Sequence, residues 1–480
     1  MTTTNLPILP NSPSRSGSAN SAYYLNTPKS MSASAKTFKQ SPLENRVKRA
    51  LTRNIYRFSV GLLCLLLPIL VPAVFLSFMI GKEEGGSALP FAVDSLCIVN
   101  DPAGTLDAFY EELAALAAGK DTVVNIIHLG DSHIQAGYFS GRTMRLLHER
   151  FGNAGRGWIA PLKIGRTNEP DDYFIRSLVK DWTVGRCVQL RPQCDTGIGG
   201  IGLRTVSPFV NFDIVMTPLH GAGYAYNQVI AYRGFRATPL LPGAAMNDSA
   251  RVNEGTFKDL KLMTDTIRLP RLTDSLQLQS TRRKAGTDSI LPFGMFDNLY
   301  FGFSLTNGQP GILYHSIGIN GAMFVHYTSD VYVRRLALLR PSLLIVSLGT
   351  NESFNRRFDV EEFTGQVEAF VALIKKHIPQ TAILLVTPPE CFRRTVVNRK
   401  RVYVRNENTA KIARTLVRVA EEHELACWDF FLTTGGKGSS EDWLKGKWMS
   451  RDRIHFNREA YYEQGVLLFK ALINGIKADD

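Results

Sequence analysis

The chain has 480 residues, of which 44% are hydrophobic and 21% charged, so its composition is that of a globular protein while its length predicts two or three folded units. The formal net charge of +13 first suggests nucleic acid, but +8 of it lies in residues 1–57. Because no nucleic-acid recognition motif accompanies these charges, we expect no nucleic-acid partner. Six cysteines are too few for a disulfide scaffold.

The first 80 residues are predicted to form a tail and a membrane anchor. Residues 1–57 lack sustained periodicity and are predicted to be a disordered basic tail. Phe58 to Ile80 form 23 residues without a charge, long enough for one helix to cross a hydrocarbon core of about 30 Å. A buried core helix and a cleaved signal peptide are the alternatives; length and the lack of an Ala-x-Ala site favour an uncleaved anchor.

Basic residues on the N-terminal side of this segment predict its orientation. By the positive-inside rule the tail would stay in the cytoplasm, and everything after Ile80 would lie outside the inner membrane, in the periplasm. Residues 81–103 are then predicted to be a linker. This places the rest of the chain in an extracytoplasmic compartment.

Beyond the linker, short apolar runs alternate with amphipathic helical patterns. The predicted strands are residues 123–129, 342–348, 382–387 and 426–430. The predicted helices are residues 105–120, 137–152, 360–377, about 406–424, and a last one from 458 onward. This alternation is typical of a parallel sheet with helices on both faces.

The middle of the chain has a different pattern. Between about Arg166 and Pro310 there are only short strand-like runs separated by Gly, Pro, Asn and Asp, which favours an antiparallel sandwich or barrel. We therefore predict an α/β domain made of residues 104–165 and 311–480, interrupted by an all-β insertion of residues 166–310. Cys187 and Cys194 in the insertion could pair in an oxidising compartment or stay free.

A candidate nucleophile follows the first predicted strand. Ligands of open parallel sheets bind beyond the carboxyl ends of the strands, and there the sequence reads "GDSH", with Ser132 as its third residue. A neutral serine needs a base, which in turn needs an orienting acid. The adjacent His133 is disfavoured as the base, since neighbouring side chains diverge at a sharp turn.

His455 is the better candidate for the base. It lies in a loop before the last helix, three residues after Asp452, and this spacing lets the carboxylate accept the Nδ1 hydrogen of the imidazole. Nε2 would then be free to take the serine proton. Asp429, on a predicted strand, is a weaker alternative for the acid.

Two further segments supply candidate donors for an oxyanion. Asn351, in "GTNE" after another predicted strand, could aim its amide at a developing negative charge. Gly318 and Gly321, in "GINGA", could expose backbone N–H groups. Each motif alone is also compatible with a simple turn or helix cap, so the prediction depends on their joint occurrence.

Taken together, "GDSH", "GINGA", "GTNE" and "DRIH" resemble the four blocks of the SGNH, or GDSL-type, hydrolases. The resemblance covers about residues 116–165 and 311–480 and implies a three-layer α/β/α fold. It implies that Ser132 is the nucleophile, His455 the base and Asp452 its partner. Ser132, Gly321 and Asn351 would then form the oxyanion hole.

Two variations are similar to one branch of that family, the peptidoglycan O-acetylesterases. They are His133 after the serine and Glu352 after the asparagine. In that branch a β-rich module similar to carbohydrate-binding modules interrupts the hydrolase. The resemblance thus implies a serine esterase without metal or organic cofactor, acting on an O-acetylated cell-envelope glycan, with peptidoglycan the expected one. Together with the predicted anchor, this gives a membrane-anchored esterase. Acyl transfer to a sugar hydroxyl and a catalytically dead glycan-binding protein remain the alternatives, and the oligomeric state stays open.

Overall fold

The structure, a computed structural model, describes residues 92–218, 224–243, 250–280 and 296–476. The predicted tail, residues 1–57, and the predicted membrane helix, residues 58–80, lie outside these ranges. Among the described residues, no helix combines the length and the apolar character needed to cross a bilayer.

The elements are numbered here in chain order. The strands are β1 (Val123–Gly130), β2 (Gly157–Ile159), β3 (Tyr173–Arg176), β4 (Thr183–Arg186), β5 (Ile201–Thr205), β6 (Asn211–Met216), β7 (Tyr226–Gly234), β8 (Leu240–Pro242), β9 (Arg251–Phe257), β10 (Leu262–Thr273), β11 (Ser275–Ser280), β12 (Asn298–Thr306), β13 (Gly311–Gly318), β14 (Leu343–Ser347), β15 (Ala382–Val386), β16 (Phe392–Val397), β17 (Lys400–Arg405) and β18 (Ala426–Trp428). The α-helices are α1 (Asp107–Ala117), α2 (Ser132–Gln135), α3 (Tyr138–Phe151), α4 (Phe324–Tyr327), α5 (Asp330–Leu336), α6 (Val360–His377), α7 (Glu407–Glu422), α8 (Phe430–Thr433), α9 (Ser439–Lys445) and α10 (Arg458–Ile473).

A five-stranded sheet forms the centre of the α/β part, in the order β13-β1-β14-β15-β18. Every neighbouring pair in it is parallel, which confirms the parallel sheet predicted from the alternation of strands and helices. β13, the edge strand that follows the β-rich segment, is not among the strands predicted from the sequence. Its pairing with β1 brings the two halves of the α/β part together across the insertion.

Helices cover both faces of this sheet. Alternate residues of β14 belong to different hydrophobic clusters. Leu343 and Ile345 belong to the first cluster, and Leu344 and Val346 belong to the second. The first cluster contains the apolar faces of α1, α3 and α10, and the second contains those of α5, α6 and α7. Because successive side chains of a strand point to opposite faces, the fold has three layers, α/β/α.

The β-rich segment contains two antiparallel sheets. One has seven strands, in the order β4-β5-β12-β7-β10-β9 with β2 also paired to β12, and the other has the order β3-β6-β11-β8. Phe212 of β6 lies with its ring centroid 5.3 Å from that of Tyr300 and 5.4 Å from that of Phe303, both on β12. The two sheets therefore pack through aromatic side chains. Cys187 and Cys194 are both free in this segment.

Two of the predicted boundaries differ from the structure. β2 lies before residue 166, yet it pairs with β12, so strand pairing of the β-rich segment begins earlier than predicted. Residues 92–103 of the predicted linker are packed on the α/β part: Asn100 pairs with Cys427, and Cys97 and Val99 are buried. These residues of the predicted linker therefore lie against the edge of the sheet beside β18, with Cys97 and Val99 buried there and Val93, Leu96 and Ile98 exposed.

The structure also contains a β-hairpin, β16–β17, that was not predicted from the sequence. Val397 and Lys400 are the last paired residues, and the two residues between them, Asn398 and Arg399, have φ values of 51° and 61°. A two-residue turn with both φ values positive matches the twist of the flanking strands. The hairpin follows β15 and precedes α7, so it starts from the edge of the sheet at which strands end.

Candidate active site

Three neighbouring strands of the central sheet end in register. Gly130 of β1 pairs with Gly318 of β13 on one side and with Ser347 of β14 on the other. Ser132, Gly321 and Asn351 follow these three strand ends by two, three and four residues. The fold thus collects the three predicted residues at one edge of the sheet, where parallel sheets bind their ligands.

A tight turn after β1 presents Ser132. The Asp131 carboxylate accepts a hydrogen bond from the His133 N–H at 2.9 Å and caps the four-residue helix α2, of which Ser132 is the first residue. Gly318 permits this packing, because a Cβ at that position would lie 2.3 Å from the Gln135 nitrogen. Ser132 is therefore held at the sheet edge by its neighbours, with its side chain partly exposed.

The structure brings Ser132, His455 and Asp452 together. His455 Nε2 lies 2.8 Å from Ser132 Oγ, and His455 Nδ1 lies 2.7 Å from Asp452 Oδ2. The two ring nitrogens thus face the hydroxyl and the carboxylate, as a Ser–His–Asp proton relay requires. The side chains of His455 and Asp452 are 34% and 49% exposed, so this row of residues opens to solvent.

Asp452 is held as a carboxylate by the turn in which it lies. Burial alone would raise its pKa, but the hydrogen bonds from the His455 ring and from the Ile454 and His455 N–H groups lower the pKa of Asp452 below its usual value. Asp429, the weaker sequence candidate, accepts hydrogen bonds from the Thr387 hydroxyl and the Leu432 N–H and caps α8. The structure places it in a helix cap.

His133 lies beside the His455 ring but points elsewhere. Its Nδ1 is 2.8 Å from the Tyr461 hydroxyl, and its ring centroid is 5.1 Å from that of His455. Burial, helped by the proximity of His455, lowers the pKa of His133 to about 3. His133 is thus a neutral side chain that packs beneath the base.

Two backbone N–H groups in the loops of the site have no hydrogen-bond partner among the described residues. No hydrogen bond from the Ser132 or the Gly321 N–H is found within the part of the chain that the structure describes. Gly321 has φ of +83°, and a Cβ there would meet nothing within 4 Å, so this peptide borders open space. Both N–H groups are therefore free to donate a hydrogen bond to a ligand.

The Asn351 amide is already engaged. Its nitrogen donates to Asp131 Oδ2 and to the Ala322 carbonyl oxygen, both at 3.0 Å. These bonds fix Asn351 beside the Gly321 loop, but they use both amide hydrogens. Its predicted oxyanion role therefore stays a prediction, and it requires that one of these bonds be exchanged for one to the substrate.

Two buried carboxyl groups support these loops, and sequence reasoning gave neither a role. Burial raises the pKa of Asp131 to about 7, against the opposing hydrogen bond from the His133 N–H. Burial likewise raises the pKa of Glu352 to about 7, and its Oε1 accepts the Phe324 N–H at 2.9 Å. Both residues lie inside the motifs quoted above, directly beside Ser132 and Asn351, which was the available signal.

A polar network joins the Gly321 loop to the start of the β-rich segment. The Asn320 N–H donates to Gln135 Oε1 at 2.7 Å, and the Asn320 amide donates to Asn168 Oδ1 at 2.7 Å. Gln135 also donates to the Asn168 carbonyl oxygen at 2.6 Å. The segment that follows residue 166 thus contributes directly to the wall of the site.

This arrangement can perform acyl transfer through a serine nucleophile. His455 can accept the Ser132 proton while Asp452 stabilises the imidazolium, and free N–H groups can bind the oxyanion. No group of three or more His, Cys, Asp or Glu suited to hold a metal ion occurs among the described residues.

The comparisons with known proteins agree with this chemistry. Residues 298–462 match the model of the GDSL-like Lipase/Acylhydrolase family, a range that includes Gly321, Asn351, Asp452 and His455 and begins after Ser132. A search of curated proteins finds no match.

Several solved structures are similar to this chain, and one of them shares its overall fold. A peptidoglycan O-acetylesterase is 20% identical, with a TM-score of 0.62, and the match covers 79% of this chain and 99% of that chain. A GDSL-like lipase from Bacteroides thetaiotaomicron is 17% identical with a TM-score of 0.26 over 34% of this chain and 76% of its own. The YXIM protein from Bacillus subtilis is 13% identical with a TM-score of 0.29, and the match covers 62% of this chain and 90% of that protein. Residues 298–462 match that family, and His455 and Asp452 in this range form the hydrogen-bonded row with Ser132; the chain is a serine esterase.

Proposed function

We propose that this esterase removes O-acetyl groups from a cell-envelope glycan, with peptidoglycan as the substrate. The observation that carries the proposal is the hydrogen-bonded row from Ser132 Oγ through His455 to Asp452, at 2.8 and 2.7 Å. Ser132 would attack the acetyl carbonyl, His455 would take its proton and return it to the departing sugar oxygen, and water would release acetate from the acyl-enzyme. Ser132, Gly321 and Asn351 would bind the oxyanion.

The shape of the site supports a short acyl group on a large alcohol. The row of three residues is open to solvent, whereas the cavity next to His133, which Gln464 also lines, measures only about 20 Å³. That volume has room for about one water molecule and none for a fatty-acyl chain. The overall fold similarity to a peptidoglycan O-acetylesterase supports the choice of glycan.

The predicted membrane anchor supports a location of the catalytic region outside the cytoplasm. We propose that residues 58–80 hold the enzyme in the inner membrane with the tail in the cytoplasm, because 23 uncharged residues follow a basic segment. Protease added to spheroplasts should then digest the region after residue 80 while leaving the tail intact. Digestion that requires membrane rupture would contradict this topology.

The substrate is tested by acetate release. Purified full-length protein in detergent should release acetate from O-acetylated peptidoglycan faster than from acetylated xylan, and Ser132→Ala should abolish both activities. Equal rates for wild type and Ser132→Ala would refute the esterase mechanism on these polymers. Newly acetylated glycan in place of free acetate would indicate acyl transfer to a sugar hydroxyl.

A further inference from the structure

The hairpin β16–β17 concentrates positive charge at the rim of the site. Residues 392–405 contain five Arg and one Lys and no acid. Residues 58–480 together have a net charge of only +5, so without this hairpin that whole region would be close to neutral. The charge is therefore localised on one element, which distinguishes it from a generally basic surface.

Four arginines line one groove, three of them on this hairpin and the fourth, Arg356, on the loop after Asn351. The groove has a volume of about 700 Å³ and is lined by Phe354, Arg356, Arg393, Arg394, Thr395, Val396 and Arg401. No ion pair joins its four arginines to an acid among the described residues, although the neighbouring Arg405 approaches Glu441 at 3.8 Å. Like charges gathered without counter-charges repel one another, so the arrangement favours an external anion.

The hairpin is fixed to both loops of the active site. The Phe392 N–H donates to the Arg453 carbonyl oxygen at 3.0 Å, and the Arg453 guanidinium lies 4.4 Å from the Tyr403 ring centroid. Arg453 lies between Asp452 and His455 in the sequence. On the other side, the Asn406 amide donates to the Ser353 hydroxyl at 2.7 Å, two residues after Asn351. A polymer bound in the groove would thus lie beside the loops that carry His455 and Asn351.

We infer that the groove binds carboxylate groups of the polymer that carries the acetyl ester, namely those on the peptide stems of peptidoglycan. Guanidinium groups match carboxylates through paired, charge-assisted hydrogen bonds. The exposed Val396, with 64% of its surface accessible, adds an apolar contact of the kind that a peptide stem offers. This inference rests on the proposed function, because it takes the polymer to be peptidoglycan.

The test compares three versions of the full-length protein in detergent. The hairpin variant is Arg393→Gln/Arg394→Gln/Arg401→Gln. A charge-matched control, Lys120→Gln/Lys375→Gln/Lys376→Gln, removes three cations near the opposite edge of the sheet. All versions should hydrolyse p-nitrophenyl acetate equally, since this small neutral ester does not reach the groove, and this equality also reports correct folding.

On intact O-acetylated peptidoglycan, the hairpin variant should show a KM raised about tenfold or more, with kcat unchanged, while the control behaves as wild type. The difference in KM between the hairpin variant and wild type should decrease at about 1 M salt, where charges are screened within about 3 Å. On O-acetylated glycan strands whose stems have been removed by an amidase, all versions should have the same KM. Unchanged KM of the hairpin variant on intact polymer, or an equal loss on stem-free strands, would overturn the inference.

A binding assay separates this inference from the proposed function. Co-sedimentation with peptidoglycan that has been chemically de-O-acetylated should fall about tenfold in the hairpin variant but not in the control. If this difference holds while wild type releases no acetate from acetylated polymer, the proposed substrate fails and the carboxylate site stands. If acetate is released and sedimentation is equal for all versions, the carboxylate site fails and the proposed function stands.

Discussion

Replacement of Asp452 by Asn should reverse the direction of the hydrogen bond between His455 Nε2 and Ser132 Oγ. Asp452 Oδ1 accepts two backbone N–H groups, those of Ile454 and His455, both at 3.0 Å. In Asp452→Asn the remaining oxygen must keep these two donors, so the new amide nitrogen takes the place of Oδ2, which lies 2.7 Å from His455 Nδ1. The amide would donate to Nδ1 and force the ring hydrogen onto Nε2. The imidazole would then donate to Ser132 Oγ and could not accept its proton.

The expected loss of kcat is large because the His455 imidazole is held in the wrong tautomer, although its position is kept. The corresponding change in a Ser–His–Asp enzyme lowers kcat about 10⁴-fold. Since Asp452 is 49% exposed and water can partly compensate, we expect about 10³- to 10⁴-fold, or roughly 4–5.5 kcal/mol in activation free energy. The assay is kcat on p-nitrophenyl acetate, with the thermal melting temperature as a control for folding.

Asp452→Ala provides the matched control. It removes the carboxylate but imposes no tautomer on His455, so it should be no slower than Asp452→Asn. An Asn variant within tenfold of wild type would refute the idea that Asp452 sets the tautomer. An Asn variant much faster than the Ala variant would contradict it as well.

Three further predictions concern the supporting residues. Asn351→Ala should lower kcat about 100- to 1,000-fold if the amide joins the oxyanion hole, and a kcat within threefold of wild type would exclude that role. Glu352→Gln should raise the melting temperature at pH 8 relative to wild type. Burial raises the pKa of the Glu352 carboxyl to about 7, so this group makes folding less favourable as pH rises from 4.5 through 7, and Gln removes that effect. A lower melting temperature of the variant would contradict this. Burial lowers the pKa of four histidines to about 3, so stability should fall as pH drops from about 6.5 towards 3, as followed by thermal melts; a flat profile would contradict it. These histidines are His128, His133, His148 and His315.

The α/β part was predictable because its signals are local. Buried parallel strands are short apolar runs, and helix α6 begins after an Asp359 cap and ends at His377, as its amphipathic pattern predicts. The convergence of Ser132 with His455 could not be read from spacing, since 323 residues separate them along the chain. It followed from the order of four motifs, because the ends of parallel strands share one edge.

The misses have physical causes as well. Six of the fourteen residues of the hairpin β16–β17 are basic, so it lacks the regular apolar alternation that marks a half-buried strand; Asn398, in its left-handed turn, was the available signal. The engagement of Asn351 by Asp131 depends on a contact across 220 positions of the chain, which no local pattern encodes. The packing of residues 92–103 on the sheet depends on the exposed edge of β18, which the sequence does not reveal.

The most direct test is covalent trapping of the nucleophile with a fluorophosphonate, followed by mass spectrometry of the intact protein and its peptides. The account predicts one adduct per chain, located on Ser132, absent in Ser132→Ala and formed at least 100-fold more slowly in His455→Ala. An adduct at another residue, or equal labelling of wild type and Ser132→Ala, would contradict it.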